Sequence, residues 1–155
     1  MNSNQLTNKE YAPFYQPYIS ALDNVVLMDE LEISVHRLVK FVQNIPMDKF
    51  DYSYAEGKWT IKDILQHLID AERVFSYRAL RFARNDKTAL PGFEENDYAL
   101  NANGSARTIK DLLSELLTVR ESTLSLFKNF SDEKMKKKGI ASGNEMTVRA
   151  IGFII

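Results

Sequence analysis

The stretch from Lys58 to Arg84 contains a predicted helix that opens at Thr60 and carries three ionisable side chains at or near its apolar side, namely His67, Glu72 and Arg78. On a helical wheel Arg78 lies within about 20° of His67, three turns further along, and Glu72 falls inside the apolar arc. An imidazole beside a helical core can bind a metal ion through one ring nitrogen while a neighbouring group orients the other. His67 is therefore a candidate metal ligand, and Glu72 and Arg78 are candidates for substrate contacts.

The same residues also allow a structural interpretation. Because an unpaired buried charge is costly, Glu72 would form an ion pair with an arginine, and His67 would be hydrogen-bonded to the backbone. The only other histidine, His36, lies about 140° from the apolar stripe of its own helix and is expected to point to water. The 155 residues contain no His-x-x-x-His, HExxH or ferritin-type carboxylate-histidine pair that would complete a metal-ligand set.

Other side chains flank these candidates. Trp59, just before the helix, is interpreted as a hydrophobic plug. Tyr77, Arg78 and Arg81 lie near the far end of the helix. They are expected to pair with Glu94, Glu95 and Asp97 of the following loop, and binding of an anion is the alternative.

Three long amphipathic helices are predicted to position these residues. The first spans residues 24–44, where apolar residues recur at steps of three and four. The second opens at Thr60 with Asp63 three residues on, close to a capping box, and the third, 108–130, opens with the same four letters. The apolar stripe predicted for the second helix is Ile61, Ile64, Leu68, Ala71, Phe75, Ala79 and Phe82.

The remaining segments complete one all-α domain over residues 1–155. A fourth helix is predicted to begin at Thr147, and residues 1–20 form an aromatic, proline-broken arm expected to pack over the bundle as an extended chain. The connection 85–106 has no predicted secondary structure, and its length is typical of a functional loop or a bundle crossover. Residues 131–146 are a charged link. The expected fold is a four-helix bundle with a long crossover after its second helix.

The fourth helix is short. Nine residues from Thr147 to Ile155 extend about 13 Å, against about 37 Å for the second helix. Apolar stripes on the longer helices would then face water, at about 25 cal/mol per Å². This mismatch predicts that the natural protein continues past Ile155, or that a partner chain fills the gap.

Composition excludes several function classes. A net charge of −1 gives no electrostatic basis for binding nucleic acid or an anionic membrane. The absence of cysteine excludes thiolate nucleophiles and cysteine zinc sites. No phosphate loop, dinucleotide fingerprint or G-x-S-x-G elbow is present. A polar start and the lack of an apolar run of about 18 residues argue against secretion and membrane insertion, so a cytoplasmic protein is expected.

The block KWTIKDILQHLIDAERVFSYRALRFARNDKTALPGFEENDYA resembles the DinB-like superfamily, which includes metal-dependent hydrolases related to bacillithiol transferases. The opening EYAPFYQPYI and the closing GNEMTVRAIGFII look like the same subgroup. The resemblance implies a four-helix bundle, commonly a homodimer, and a divalent metal, often nickel or zinc, held by three histidines. The first of these three histidines corresponds to His67. The other two form a His-x-x-x-His pair that in relatives follows a segment like TVRAIGFII, so the metal is expected only where that pair is present.

The predicted function is a metal-dependent hydrolase or thiol transferase that acts on a small molecule, for which a low-molecular-weight thiol is one candidate. His67 is the predicted metal ligand, with Glu72 and Arg78 as substrate contacts. The alternative is a non-catalytic helical-bundle protein that serves in binding or stress response and has a structural core histidine. Neither hypothesis includes a nucleic-acid or membrane partner.

Overall fold

The computed structural model describes residues 1–155 and contains seven α-helices and one β-hairpin. The helices are α1 (Gln16–Ser20), α2 (Leu27–Gln43), α3 (Ile61–Ala83), α4 (Glu95–Ala102), α5 (Ile109–Lys128), α6 (Asp132–Met135) and α7 (Val148–Ile154). The hairpin strands are β1 (Lys138–Ala141) and β2 (Asn144–Thr147), and single 3₁₀ turns span Ser3–Gln5, Pro13–Tyr15, Met47–Lys49 and Gly104–Ala106.

Four helices make the bundle that the sequence predicted. The long helix α3 packs along α5 and against α7, while α2 packs along α5 and also contacts α7. The connection from α3 to α5 is the expected crossover, although it is not without secondary structure, because α4 forms within it and packs on α3. None of the helices combines the length and the apolarity that crossing a bilayer requires.

Side-chain caps set the helix starts where the sequence placed them. At α3 the Thr60 hydroxyl accepts from the Asp63 backbone N–H at 3.2 Å, and the Asp63 carboxylate accepts from the Thr60 N–H at 3.0 Å. This reciprocal pair is the predicted capping box. At the start of α5 the Thr108 hydroxyl accepts from the Asp111 N–H at 3.1 Å, and at the start of α7 the Thr147 hydroxyl accepts from the Ala150 N–H.

The core consists of two apolar clusters along the bundle axis. One lies between α2, α3 and α5 and includes Val35, Ile69 and Leu116. The larger one joins α2, α7, the hairpin and the second half of α3. Here Gly152 of α7 allows close approach, since a Cβ at that position would lie 2.7 Å from Phe127. The two clusters divide α3 into two halves with different neighbours.

The predicted apolar stripe of α3 is wrong at two positions. Ile64 and Leu68 are exposed, whereas Leu65 and Ile69 are buried. The core face is therefore rotated toward α5, which runs beside the first half of α3. Helix α7 covers only the second half of α3, where Phe75 lies in the larger cluster.

The link 131–146 contains structure that the sequence analysis missed. Besides α6 it forms the β1–β2 hairpin, paired from Lys138↔Thr147 to Ala141↔Asn144. Its turn uses positive φ at Ser142 (51°) and Gly143 (75°), the backbone twist that two-residue hairpin turns require. Leu90 of the crossover bonds to the same hairpin, donating to Ile140 O at 2.9 Å. The hairpin thereby fixes the start of the crossover.

The N-terminal arm is attached to the bundle at two points. Glu10 accepts from Arg149 of α7 through both carboxylate oxygens, each at 2.6 Å. Nearer the N-terminus, the Ser3 backbone N–H donates to Val25 O at 3.0 Å, which explains why α2 begins three residues later than predicted. Short helical turns replace the extended conformation expected for the arm, and they bring its aromatic residues over the bundle.

Candidate functional site

One cavity of about 360 Å³ brings the three predicted site residues together. Its walls come from α3, from the arm, from the crossover, and from parts of α2, α5 and the C-terminal end of α7. Eleven of its eighteen lining residues are hydrophobic, so it has the mixed character of a small-molecule site. His67, Glu72 and Arg78 line it, together with Arg120, Ser142, Tyr15 and Phe93.

His67 lies at the cavity wall and is half-buried. Its ring packs against Trp59, with a distance of 4.9 Å between ring centroids and an angle of 44° between the planes. The backbone hydrogen bond that the structural interpretation required is not formed. Trp59 is itself half-buried, so it covers the side of the imidazole. His36, the other histidine, is exposed as predicted.

Glu72 is buried in an ion pair with Arg120 of α5, as the structural interpretation predicted. Arg120 donates from Nε to Oε1 at 2.8 Å and from Nη2 to Oε2 at 2.9 Å. The third nitrogen, Nη1, donates to Leu31 O and to the Ser34 hydroxyl, both at 2.8 Å. Every oxygen of Glu72 thus has a cationic donor. The pair joins three helices at the inner wall of the cavity.

Arg78 is buried without a carboxylate partner, with only 2% of its surface exposed. Its Nη2 donates to Pro91 O at 3.2 Å and to the Ser142 hydroxyl at 3.0 Å. The guanidinium carbon lies 5.4 Å from the centroid of the Phe75 ring and 5.9 Å from that of Phe93. These partners are neutral, so the positive charge at this wall is not balanced by an ion pair.

The predicted pairing between the end of α3 and the acidic loop is wrong. Arg81 pairs with Asp86 and the Tyr77 hydroxyl, close to the end of its own helix. The acidic residues instead lie at the start of α4, where Glu94 accepts from the Asn96 N–H at 3.3 Å. Carboxylates at a helix N-terminus are stabilised by the free N–H groups there, which explains this placement.

Burial affects the ionisation of two groups in the cavity. Desolvation lowers the pKa of Arg78, and the neighbouring Tyr15 phenol opposes that effect. Desolvation likewise raises the pKa of Tyr15, while the positive charge of Arg78 opposes it. Tyr15 is therefore the arm residue that is electrically coupled to Arg78.

Sequence reasoning missed Arg120 and Ser142. A signal for Arg120 was present, since it stands four residues after Leu116 and seven before Phe127, on the apolar stripe of α5. Ser142 had no such signal, because its place in the cavity depends on a hairpin that the sequence analysis did not predict.

The residues of the chain do not make a metal site by themselves. No three His, Cys, Asp or Glu side chains come together in a group that could hold a metal ion. At the cavity both oxygens of Glu72 are taken by Arg120, which leaves the His67 imidazole without a second ligand beside it. A protein metal site normally has three or four such ligands.

A sequence model of the DinB superfamily matches residues 30–155. A protein of Oceanobacillus iheyensis named "Putative metal-dependent hydrolase" is 21% identical over 109 residues, which are 70% of this chain and 62% of that protein. A protein of the same name from Geobacillus thermodenitrificans is 32% identical over 79 residues, 50% of this chain and 44% of that protein. The chain thus spans less than two thirds of the length of these relatives.

The structure is also similar to YfiT from Bacillus subtilis, described as "a probable metal-dependent hydrolase with an unusual four-helix bundle topology". The TM-score is 0.73 with 17% sequence identity, over 94% of this chain and 83% of that chain. At this level of identity the likeness establishes the fold.

Proposed function

Because the chain belongs to the DinB superfamily, we propose that it is an enzyme that acts on a small molecule bound in the cavity between α3, the arm and the crossover. The observation that carries this proposal is that His67 and Arg78 line the same cavity. An imidazole can hold or move a proton near neutral pH, and a guanidinium can orient an anionic group. The apolar walls would bury the body of the substrate and exclude water.

Hydrolysis is the reaction class that the relatives' names support, and thiol transfer is the second candidate. Both relatives carry the name of a metal-dependent hydrolase, and YfiT is described in the same terms. A divalent metal, nickel or zinc, would supply a Lewis acid and lower the pKa of a bound water or thiol. Of the residues here, His67 is the ligand that we propose for it. Since the chain provides no further ligand beside His67, we assign no reaction step to a bound metal.

The other cavity residues have supporting roles in this proposal. Arg78 contacts the substrate, and the Glu72–Arg120 pair keeps the inner wall in place. Glu72 was a candidate substrate contact in the sequence, but each of its two oxygens accepts a hydrogen bond from Arg120. We therefore propose it as a residue that positions the wall of the cavity.

A non-catalytic binding protein is the alternative function. It is favoured by the packing of His67 on Trp59, which would make the imidazole a structural part of the wall. Under this hypothesis the cavity binds a small molecule and His67 contributes no chemistry.

Hydrolysis of 4-nitrophenyl butyrate separates the two functions. The rate is measured for the wild type, His67→Ala and the control His36→Ala, each with and without excess ZnCl₂ or NiCl₂. A parallel series follows conjugation of N-acetylcysteine to monobromobimane, which reports thiol transfer. We expect His67→Ala to lower one of these rates about 100-fold, a usual magnitude for loss of acid–base assistance. His36→Ala should match the wild type, because His36 is exposed and outside the cavity.

Equal rates for the wild type and His67→Ala in both assays would reject His67 as a catalytic residue or ligand. The alternative function would then be favoured. Circular dichroism of each variant shows whether a lower rate comes from unfolding.

A further inference from the structure

Two arginines line the cavity, and only one of them is neutralised. Arg120 is held by Glu72 through two hydrogen bonds at 2.8 and 2.9 Å. Arg78 is buried more deeply, 2% exposed against 6% for Arg120, yet it forms no ion pair. Burying a guanidinium without a counter-charge is expensive, and proteins normally avoid it. Within residues 1–155 the Arg78 charge therefore has no ion-paired counter-charge.

Part of the Arg78 guanidinium is free to donate hydrogen bonds to a bound anion. Nη2 donates to Pro91 O and to the Ser142 hydroxyl, and the Tyr15 phenol is the other polar group of the protein that interacts with the guanidinium. No buried side-chain nitrogen or oxygen in the protein lacks a partner. Nε and Nη1 form no hydrogen bond of ordinary geometry with the protein, so neither can be fully buried, and Arg78 lines the cavity. A guanidinium offers its donors in a rigid, planar fork, and this geometry suits two-point binding of a carboxylate.

The surroundings of Arg78 favour an apolar ligand body. Phe75 and Phe93 lie at 5.4 and 5.9 Å from the guanidinium carbon, and Tyr15 completes an aromatic wall. Two further carboxylates, Glu94 and Glu95, line the same cavity and are exposed. Their charge would oppose a ligand with several negative charges. A single carboxylate on an aromatic or aliphatic body fits both features.

We propose that Arg78 forms a carboxylate subsite and that the cavity binds organic monocarboxylates with an apolar body. This inference rests on the proposed function in that it names the substrate class of the same cavity. It is independent of metal binding and of turnover. Pro91 and Ser142 hold Nη2 from the crossover and the hairpin, and so they position the guanidinium.

Binding of 3-phenylpropanoate and of its neutral amide, 3-phenylpropanamide, tests the proposal by calorimetry. The two probes have nearly the same shape and differ in charge. We expect the acid to bind the wild type about 10-fold or more tightly than the amide, and less so at high ionic strength. Arg78→Met should remove this preference. The control Arg81→Met should keep the preference, because Arg81 pairs with Asp86 and does not line the cavity.

A second measurement on the wild type covers the case in which Arg78→Met does not fold. The Nε–H resonance of Arg78 should shift on addition of the acid and stay in place with the amide. Equal affinity for acid and amide, or an unchanged Arg78 resonance at saturating acid, would overturn the carboxylate subsite. His67→Ala should retain the preference for the acid. Equal turnover by the wild type and His67→Ala, with the preference for the acid intact in both, would therefore reject the enzymatic role of His67 and leave the carboxylate subsite standing.

Discussion

Glu72 of α3 and Arg120 of α5 form a buried, two-point ion pair in which both carboxylate oxygens accept from one guanidinium, at 2.8 and 2.9 Å. Along each helix the pair lies between residues of the two apolar clusters. Arg120 also donates to Leu31 O of α2, so one side chain joins three helices. The pair sets the inner wall of the cavity and leaves Arg78 as the arginine there without a counter-charge.

Glu72→Gln should lower the free energy of unfolding by about 3–5 kcal/mol, because it leaves the Arg120 charge buried without a partner. Urea denaturation at neutral pH measures the change. The matched control is Glu30→Gln, whose partner Arg37 is largely exposed, and it should cost less than about 1 kcal/mol. Adding Arg120→Met to Glu72→Gln should recover part of the loss, since no uncompensated charge remains. A cost for Glu72→Gln no larger than that of the control would contradict this role.

The attachment of the arm should depend on pH. Burial raises the pKa of Glu10, but hydrogen bonds from Arg149, Thr7 and Thr147 outweigh it and hold the value below the ordinary 4.5. When folding lowers the pKa of a carboxyl group, that group stabilises the folded state at every pH above its pKa in the unfolded chain. This stabilisation is lost as the pH falls through the pKa of the folded state. Glu10→Gln should therefore lower the free energy of unfolding by about 1–3 kcal/mol at neutral pH.

The same substitution should have progressively less effect as the pH falls below about 4.5. Urea titrations of the wild type and Glu10→Gln at a series of pH values provide the comparison. A difference that stays constant down to strongly acidic pH would show that the Glu10 charge does not stabilise the arm.

Gly139→Ala should disrupt the packing of the hairpin on α3. A Cβ on Gly139 would overlap the ring of Phe82, which is fully buried and cannot move aside easily. Overpacking of this kind usually costs about 1–3 kcal/mol. Ile140→Ala, at the next residue of β1, is the control, because Ile140 is 46% exposed and its loss should cost less than about 1 kcal/mol. Thermal unfolding that ranks the two substitutions in the opposite order would be inconsistent with the close contact.

Residues 1–155 should bind divalent metal weakly, because His67 has no second protein ligand beside it. After dialysis we expect well under one equivalent of nickel or zinc per chain by elemental analysis. In an NMR titration with Co²⁺, paramagnetic broadening of the His67 ring signals can be compared with that of the exposed His36 in the same molecule. Preferential broadening of His67 supports its assignment as a ligand, and equal broadening of both rings would count against it.

The family and the bundle were accessible from the sequence because they rest on local patterns. Caps at Thr60, Thr108 and Thr147, followed by residues with helical periodicity, define where three of the helices begin. The resemblance to the DinB-like superfamily is confirmed by the match over residues 30–155. The predicted exposure of His36 and the pairing of Glu72 with an arginine are also confirmed.

What the sequence alone determined about this protein is the four helices of the bundle, their order and the residues on α3 that could do chemistry, because caps and apolar spacing act within a few residues of chain. The tertiary structure decided which charges are neutralised. Arg120 comes from 48 residues beyond Glu72, and Ser142 reaches Arg78 across 64 residues through a hairpin turn. Such pairings depend on how helices rotate against each other, and Ile64 and Leu68 show that a stripe on one helix does not specify that rotation.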